Sequence, residues 1–246
     1  MSSTSLRLTG RWPAFARTLI QLLIPIVLVL TNVRLLMTDA FVRLEYSMPG
    51  FPTDSYGFSK EDRLHWAPIA RAYLLNDAGT EFLSDLRFES GEPVYNEREL
   101  RHMDDVKRLT QAALRLWAAS LATVLLLLVG LWWRGRRQDA LRGLSGGGRL
   151  TLGGMVLLGA GLVFTFSTVF VGFHRLFFEG DTWLFYYSDT LIRLFPERFW
   201  RDVFLLLAGA TLAEAVALHL LATRLLRADL ARPGRGAPRP EAGNTP

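Results

Sequence analysis

Apolar residues along this chain collect in long blocks separated by charged ones. Four blocks reach the roughly 20 residues needed to cross ~30 Å of hydrocarbon. They are "FARTLIQLLIPIVLVLTNVRLLM" (15–37), interrupted by Pro25, and "AALRLWAASLATVLLLLVGLWW" (112–133). Next come the uncharged "LTLGGMVLLGAGLVFTFSTVFVGF" (150–173) and "VFLLLAGATLAEAVALHLLATRLL" (203–226), which holds Glu214 and His219. The pattern predicts an all-α, polytopic membrane protein with four transmembrane helices. The first block is too long for a signal-peptide core, and no small-x-small cleavage site follows it closely. It reads as a retained helix.

Between the blocks, local signals predict the rest. Ser59, with Asp62 three residues on, is a capping-box start for a helix over "SKEDRLHWAPIARAYLLN". Leu64, Pro68, Ala72 and Leu75 fall roughly on one face of it. Asn96 is a second N-cap, with Glu97 and Glu99 in the first turn where the helix dipole favours acids. No breaker follows until Gly130, so 97–133 reads as one helix whose first turns project from the membrane. "RGRRQDALRGLSGGGR" (134–149) reads as a flexible turn; its glycines lack the pattern of a phosphate-binding loop. Gly209, Ala213 and Ala217 form a small-residue seam on the fourth helix, and Gly153, Gly154, Gly159 and Gly161 suit close contacts on the third. The tail 227–246, rich in Pro, Gly and Ala, reads as disordered.

Charge orients these elements. Half the residues are hydrophobic and 21% are charged, with net charge +5 and pI ≈ 10.0. The arginines gather in three places: Arg7, Arg11 and Arg17; Arg134 to Arg149; and Arg224 to Arg239. With four spans these regions share one side, and cytoplasmic loops are enriched in Lys and Arg. Both termini (1–14 and 227–246) are thus expected inside, and 38–111 and 174–202 outside. The larger outer region is acidic, with 14 Asp or Glu against nine Lys or Arg. Because the basic residues flank membrane spans, they argue for anchoring and against nucleic-acid binding. There is no cysteine, hence no disulfide and no thiolate chemistry.

Of four histidines, His102 and His174 fall on the same outer side. His102 stands on the projecting turns of the second helix and His174 at the outer end of the third. His174 sits among Phe177, Phe178, Trp183, Phe185, Tyr186 and Tyr187, which also suit an aromatic belt at the membrane interface. His102 sits among charges that also suit a solvated helix face, and Asp105 at i+3 is placed to orient its ring. His65, beside Trp66, reads as structural. Glu214 and His219, toward the cytoplasmic half, read as hydrogen-bonding groups inside the bundle. Arg34 is positioned either to snorkel to headgroups or to bind a substrate carbonyl or anion.

Two motifs carry a resemblance. "NERELRHMDDVKRL" followed by "FHRLFFEGDTWLFYYSDTLIRLFPERFW", together with "DSYGFSKEDRL", resembles the lipoprotein intramolecular transacylase (Lit) family of bacterial integral membrane proteins. The resemblance implies transfer of the sn-2 acyl chain of a lipoprotein's diacylglyceryl-cysteine to that cysteine's α-amino group, giving an N-acyl, S-monoacylglyceryl (lyso) form. It places the family's two essential histidines on His102 and His174. Supporting or substrate-binding roles are expected for Asp105, Arg34, Asp181, Trp183 and Asp189. The implied partners are diacylglyceryl-modified lipoproteins and membrane lipids, with no nucleic acid, cofactor or metal. The implied location is the bacterial cytoplasmic membrane, with the site on its extracytoplasmic face.

Two other readings compete. A metal-dependent membrane hydrolase would use His102, His174 and Asp105 or Asp181 as ligands, although no short His-x-x-x-His spacing favours it. A non-enzymatic scaffold would use the acidic outer region to bind a partner.

Overall fold

The computed structural model describes residues 4–164 and 166–231, and their side chains apart from 4–10, 158 and 160–164. Among the described residues every named element is a helix, and the connecting loops hold one isolated β-bridge between Arg87 and Pro93. A long helix α1 (Thr4–Leu36) continues through Pro13 and Pro25 and is followed by α2 (Asp39–Glu45), α3 (Lys60–Leu75) and α4 (Glu81–Ser84). Then come α5 (Glu97–Trp133), α6 (Arg137–Phe164) and α7 (Phe166–Phe177), and finally α8 (Thr190–Leu194) and α9 (Glu197–Leu230). Both anticipated caps are present. Ser59 and Asp62 form one capping box, Asn96 and Glu99 the other, and α5 is unbroken over its whole length.

Three helices among the described residues are long and apolar enough to cross a membrane: Arg11–Leu36, α5 and α9. The third apolar block, 150–173, falls in α6 up to Phe164 and in α7 from Phe166; Thr165 lies outside the described residues, as do the surroundings of Gly161. Residues 227–230, assigned above to the tail, complete the last turn of α9; the remaining tail from 232 lies outside the described residues.

The bundle of α1, α5, α6 and α9 is built on close approach. The expected flexible turn 134–149 is in fact three residues of turn, with Gly135 at φ 69°, followed by helix. Its glycines serve packing. A Cβ on Gly147 would lie 2.6 Å from Ile24 Cβ, and one on Gly148 2.9 Å from the Ala215 carbonyl. The expected contacts at Gly153, Gly154 and Gly159 are not made, since a Cβ there meets nothing within 4 Å. On α9 the buried small residues are Thr211, Ala215 and Ala222, while Gly209, Ala213 and Ala217 are exposed. In lipid, apolar side chains gain little by leaving their surroundings, so backbone proximity and polar pins hold helices together. Asn32 Nδ2 donates to Glu214 Oε2 at 2.8 Å and Thr211 Oγ1 at 3.2 Å, and His219 Nδ1 meets Ser145 Oγ at 3.0 Å. Glu214 and His219 thus hydrogen-bond inside the bundle, as expected.

A helical cap sits on one end. Tyr73, Leu83, Val94, Leu191 and Leu194 form its core. Here burial from water drives packing, at roughly 1.5–3 kcal/mol for each large side chain. The inward face of α3 carries Arg63, Ala67, Ala70 and Tyr73, rotated from the anticipated stripe because apolar residues occur on several sides of this helix. Phe41, Val42, Tyr46, Ala67 and Phe199 form a third cluster joining α2 and α3 to the start of α9.

Candidate active site

The capping box starts α5 at Glu97, which turns Glu99, His102, Met103 and Lys107 onto one buried face. Lys107, a buried cation, is held by Asn76 Oδ1 at 3.0 Å and by the Ala78 carbonyl, and it lies over the Tyr73 ring. The buried face therefore has a fixed register against α3. His102 is not the solvated residue its charged neighbours suggest: it is 8% exposed.

His174 reaches the same place from α7. It stands in the last turn, where Phe170, His174 and Phe178 follow one another at helical spacing. The chain then reverses at Gly180, whose φ of 66° favours glycine. The turn is closed by the Leu184 N–H on the Asp181 carbonyl at 3.1 Å and the Trp183 indole N–H on the Gly180 carbonyl at 3.1 Å. It swings Trp183 and Phe185 back over the two histidines.

The imidazoles of His102 and His174 lie 6.0 Å apart between centroids, their planes inclined by 21°. Phe178 and Phe185 pack edge-on to His102 at 5.0 and 5.3 Å, and Trp183 lies 5.0 Å from His174. Both rings line a cavity of about 850 Å³, continued by Leu109, Phe170, Phe173, Trp200, Phe204 and Leu207. Among the described residues, no three His, Asp or Glu side chains converge as a metal site requires.

Hydrogen bonds define the state of each ring. His174 Nδ1 lies 2.8 Å from the Phe170 carbonyl oxygen. A carbonyl only accepts, so Nδ1 carries the proton and Nε2 keeps its lone pair. His102 Nδ1 is buried without a partner. Burial, reinforced by the neighbouring His174, pushes the His102 pKa down to about 4. Burial also lowers that of His174, against the opposing effect of its bond to Phe170. Both rings are neutral at pH 7.

The other anticipated residues separate. Trp183 is in the site. Asp189 braces it from outside: it binds the Arg98 guanidinium at 2.9 Å, Asn96 Nδ2 at 3.2 Å and the Tyr186 N–H at 2.9 Å. Asp105 does not hold His102, whose Nδ1 stays unpartnered. Asp181 is exposed and contributes its backbone carbonyl to the turn. Arg34 is exposed, lies outside the cavity lining and donates to the Met37 carbonyl at 3.4 Å.

Several residues were missed. Glu99, read only as a first-turn acid, is 1% exposed and also receives the Leu191 N–H at 2.7 Å. Burial raises its pKa to about 7, against the hydrogen bonds it accepts from Asn96 and Leu191. Arg63, Arg71, Arg193 and Arg198 all line the cavity. The sequence offered no clear signal for them; Arg63 shares its side of α3 with Lys60 and Arg71.

Comparison with known proteins agrees with the helical fold. The family model described as lipoprotein intramolecular transacylase Lit matches residues 18–200. A protein of Aquifex aeolicus, described only as uncharacterized, is 33% identical over 173 residues, covering 70% of this chain and 76% of that one. The solved structure of the membrane-integral lipoprotein intramolecular transacylase Lit from Bacillus cereus superposes with a TM-score of 0.76. It is 16% identical and covers 91% of this chain and 100% of that one. A histidine-substituted form of that protein superposes with a TM-score of 0.71 at the same identity, covering 93% and 100%. At such identity the likeness to these structures is one of fold.

Proposed function

Because the chain belongs to the lipoprotein intramolecular transacylase family, we propose that it moves the sn-2 acyl chain of a lipoprotein's diacylglyceryl-cysteine onto the cysteine α-amino group. The observation that carries this reading is the pair His102 and His174, two neutral imidazoles brought together in one largely apolar cavity.

The reaction is an ester aminolysis within one molecule. The amine nitrogen attacks the ester carbonyl, the new C–N bond forms and the C–O bond to glycerol breaks. One proton leaves nitrogen and one reaches the glyceryl oxygen. His174 is the base: its Nδ1 proton is engaged by Phe170, which leaves Nε2 to accept. His102 is the neutral N–H donor to the developing oxyanion, because burial disfavours its imidazolium. Holding amine and ester together supplies roughly 7–11 kcal/mol through effective molarity, so no protein nucleophile is needed. Trp183 and the phenylalanines shield the acyl chains. Asp189 and Glu99 act as positioning residues.

In the membrane, α1, α5 and α9 cross together with a fourth crossing formed by α6 and its continuation, which gives four spans. The arginines near Trp12, Arg134 and Arg227 then face the cytoplasm, and the cavity opens on the extracytoplasmic side of the bacterial cytoplasmic membrane. The substrate partners are diacylglyceryl-modified lipoproteins.

The test is co-expression with such a lipoprotein and mass spectrometry of its N-terminal lipopeptide. One acyl chain on nitrogen and one on glycerol, with none added overall, is the expected result. Unchanged diacylglyceryl-cysteine beside well-expressed protein would overturn the proposal, and a third acyl chain would replace it with an intermolecular acyltransferase.

A further inference from the structure

A second, smaller cavity of about 390 Å³ adjoins the first, and Pro52, Thr53, Asp54 and Arg63 line both. Their linings differ in character. Beyond the shared wall, the smaller one mixes Ser59, Lys60, Gly50 and Gly57 with the side chains of Tyr46, Met48, Phe51 and Phe58, and polar groups make up a larger part of its wall than in the larger cavity. The two glycines have φ of 73° and 102°, and a Cβ built on either meets nothing within 4 Å, so backbone is exposed there.

The arginine in the shared wall stands apart from the others. Four arginines line the larger cavity, and three are paired with carboxylates: Arg71 with Asp39 at 2.8 Å, Arg193 with Asp54 at 2.9 Å, and Arg198 with Asp202. Among the described residues Arg63 has no such partner. It is 5% exposed and donates Nε to the Arg193 carbonyl at 2.9 Å and Nη1 to the Pro52 carbonyl at 2.6 Å. Its Nη2 makes no hydrogen bond among the described residues. A buried guanidinium is held in place by acceptors, and a spare N–H beside a cavity offers one more position to a neutral oxygen.

The substrate of the proposed reaction has two unlike parts. Its acyl chains suit the apolar cavity, but the polypeptide after the modified cysteine carries a donor and an acceptor at almost every residue, which need polar partners. We propose that the smaller cavity receives the first residues of that polypeptide, with Arg63 Nη2 donating to a main-chain carbonyl as the chain passes out over Gly50 and Gly57. The site reads backbone, so it accepts lipoproteins of unrelated sequence. This inference rests on the transacylase reading.

The experiment uses the full chain in lipid nanodiscs and a diacylglyceryl lipopeptide with a photoreactive phenylalanine a few residues after the cysteine. Crosslinks within residues 47–60 are expected; crosslinks confined to 179–187 or elsewhere overturn the subsite. Mass spectrometry of the N-acylated product reads the reaction separately. Crosslinks in 47–60 without product would remove the reaction and keep the subsite, and product with crosslinks elsewhere would do the reverse. Arg63→Lys and Arg63→Gln should lower kcat/KM on the lipopeptide by about tenfold or more. Their kcat/KM on peptide-free diacylglyceryl-cysteine amide should change by less than about twofold. Equal losses on both substrates, or none on either, overturn the role of Arg63.

Discussion

Glu99 accepts the Leu191 N–H at 2.7 Å through one carboxyl oxygen, while the other receives the Asn96 N–H at 2.9 Å. The helix that carries His102 thereby also holds the start of α8, and with it the loop that lays Trp183 and Phe185 on the histidines. One side chain couples the two halves of the site.

Replacing Glu99 with Ala leaves two backbone N–H groups without that acceptor, at a cost of about 1–3 kcal/mol each where they stay buried. Thermal unfolding in detergent, followed by tryptophan fluorescence, should show a melting temperature several degrees lower. The carboxyl pKa is raised from 4.5 to about 7, so the folded protein holds a proton there that the unfolded chain releases. The advantage of wild type over Glu99→Ala should narrow as pH rises from about 4.5 through 7. An advantage that widened instead would contradict the burial of this group.

The two histidines should respond differently to substitution. His174→Ala and His174→Asn should both lose about 100-fold or more in transacylation rate, since neither replacement has a basic nitrogen. His102→Asn keeps an N–H donor and should retain clearly more activity than His102→Ala. Equal loss in the two His102 variants would argue against an oxyanion-donor role.

The neutrality of His102 is measurable directly. With imidazole nitrogens labelled, its NMR signals should remain those of a neutral ring at pH 5 and change only near pH 4. Because this pKa lies below the ordinary 6.5, His102 stabilises the fold above pH 6.5, and that contribution is lost as pH falls from there through about 4. Titration near 6.5 would mean that the ring is open to water.

The glycine seam of α6 makes a sharper demand than its composition suggests. Gly147→Val should destabilise the bundle by about 1–3 kcal/mol or more, because its Cβ would meet Ile24 at 2.6 Å. Gly153→Val, with open space at its Cβ, should be nearly neutral. The comparison is read from melting temperatures of the two purified variants, and similar values would remove the seam.

Legibility followed the range of the physical signal. The caps at Ser59 and Asn96 are local, and both were readable because side chain and backbone lie within one turn. The span pattern put both histidines on one side, but only the motifs paired them, since no periodicity links a residue on α5 to one on α7. The glycines of 146–148 were misjudged because glycine signals flexibility in water and close approach in a membrane, and the sequence does not state which solvent surrounds it. Asp105 had the right spacing to reach His102, but spacing does not fix which way an imidazole turns. The carboxylate clamp at Glu99 depends on a chain segment far along the sequence and left no local trace.

The uninterrupted length of α5 has a consequence for where the chemistry happens. At 1.5 Å per residue, His102 lies about 15 Å along the helix from Ala112, where the apolar stretch begins. If the membrane surface lies near Ala112, as the proposed topology has it, an ester at that height would have left the bilayer, and its chains would face water at roughly 0.8 kcal/mol per methylene. The phenylalanine- and leucine-lined cavity would answer this by carrying a small volume of oil at that height. Under the proposed reaction the protein would be an extractor as much as a catalyst: it would lift a lipid anchor partway out of its leaflet before the acyl chain changes atoms.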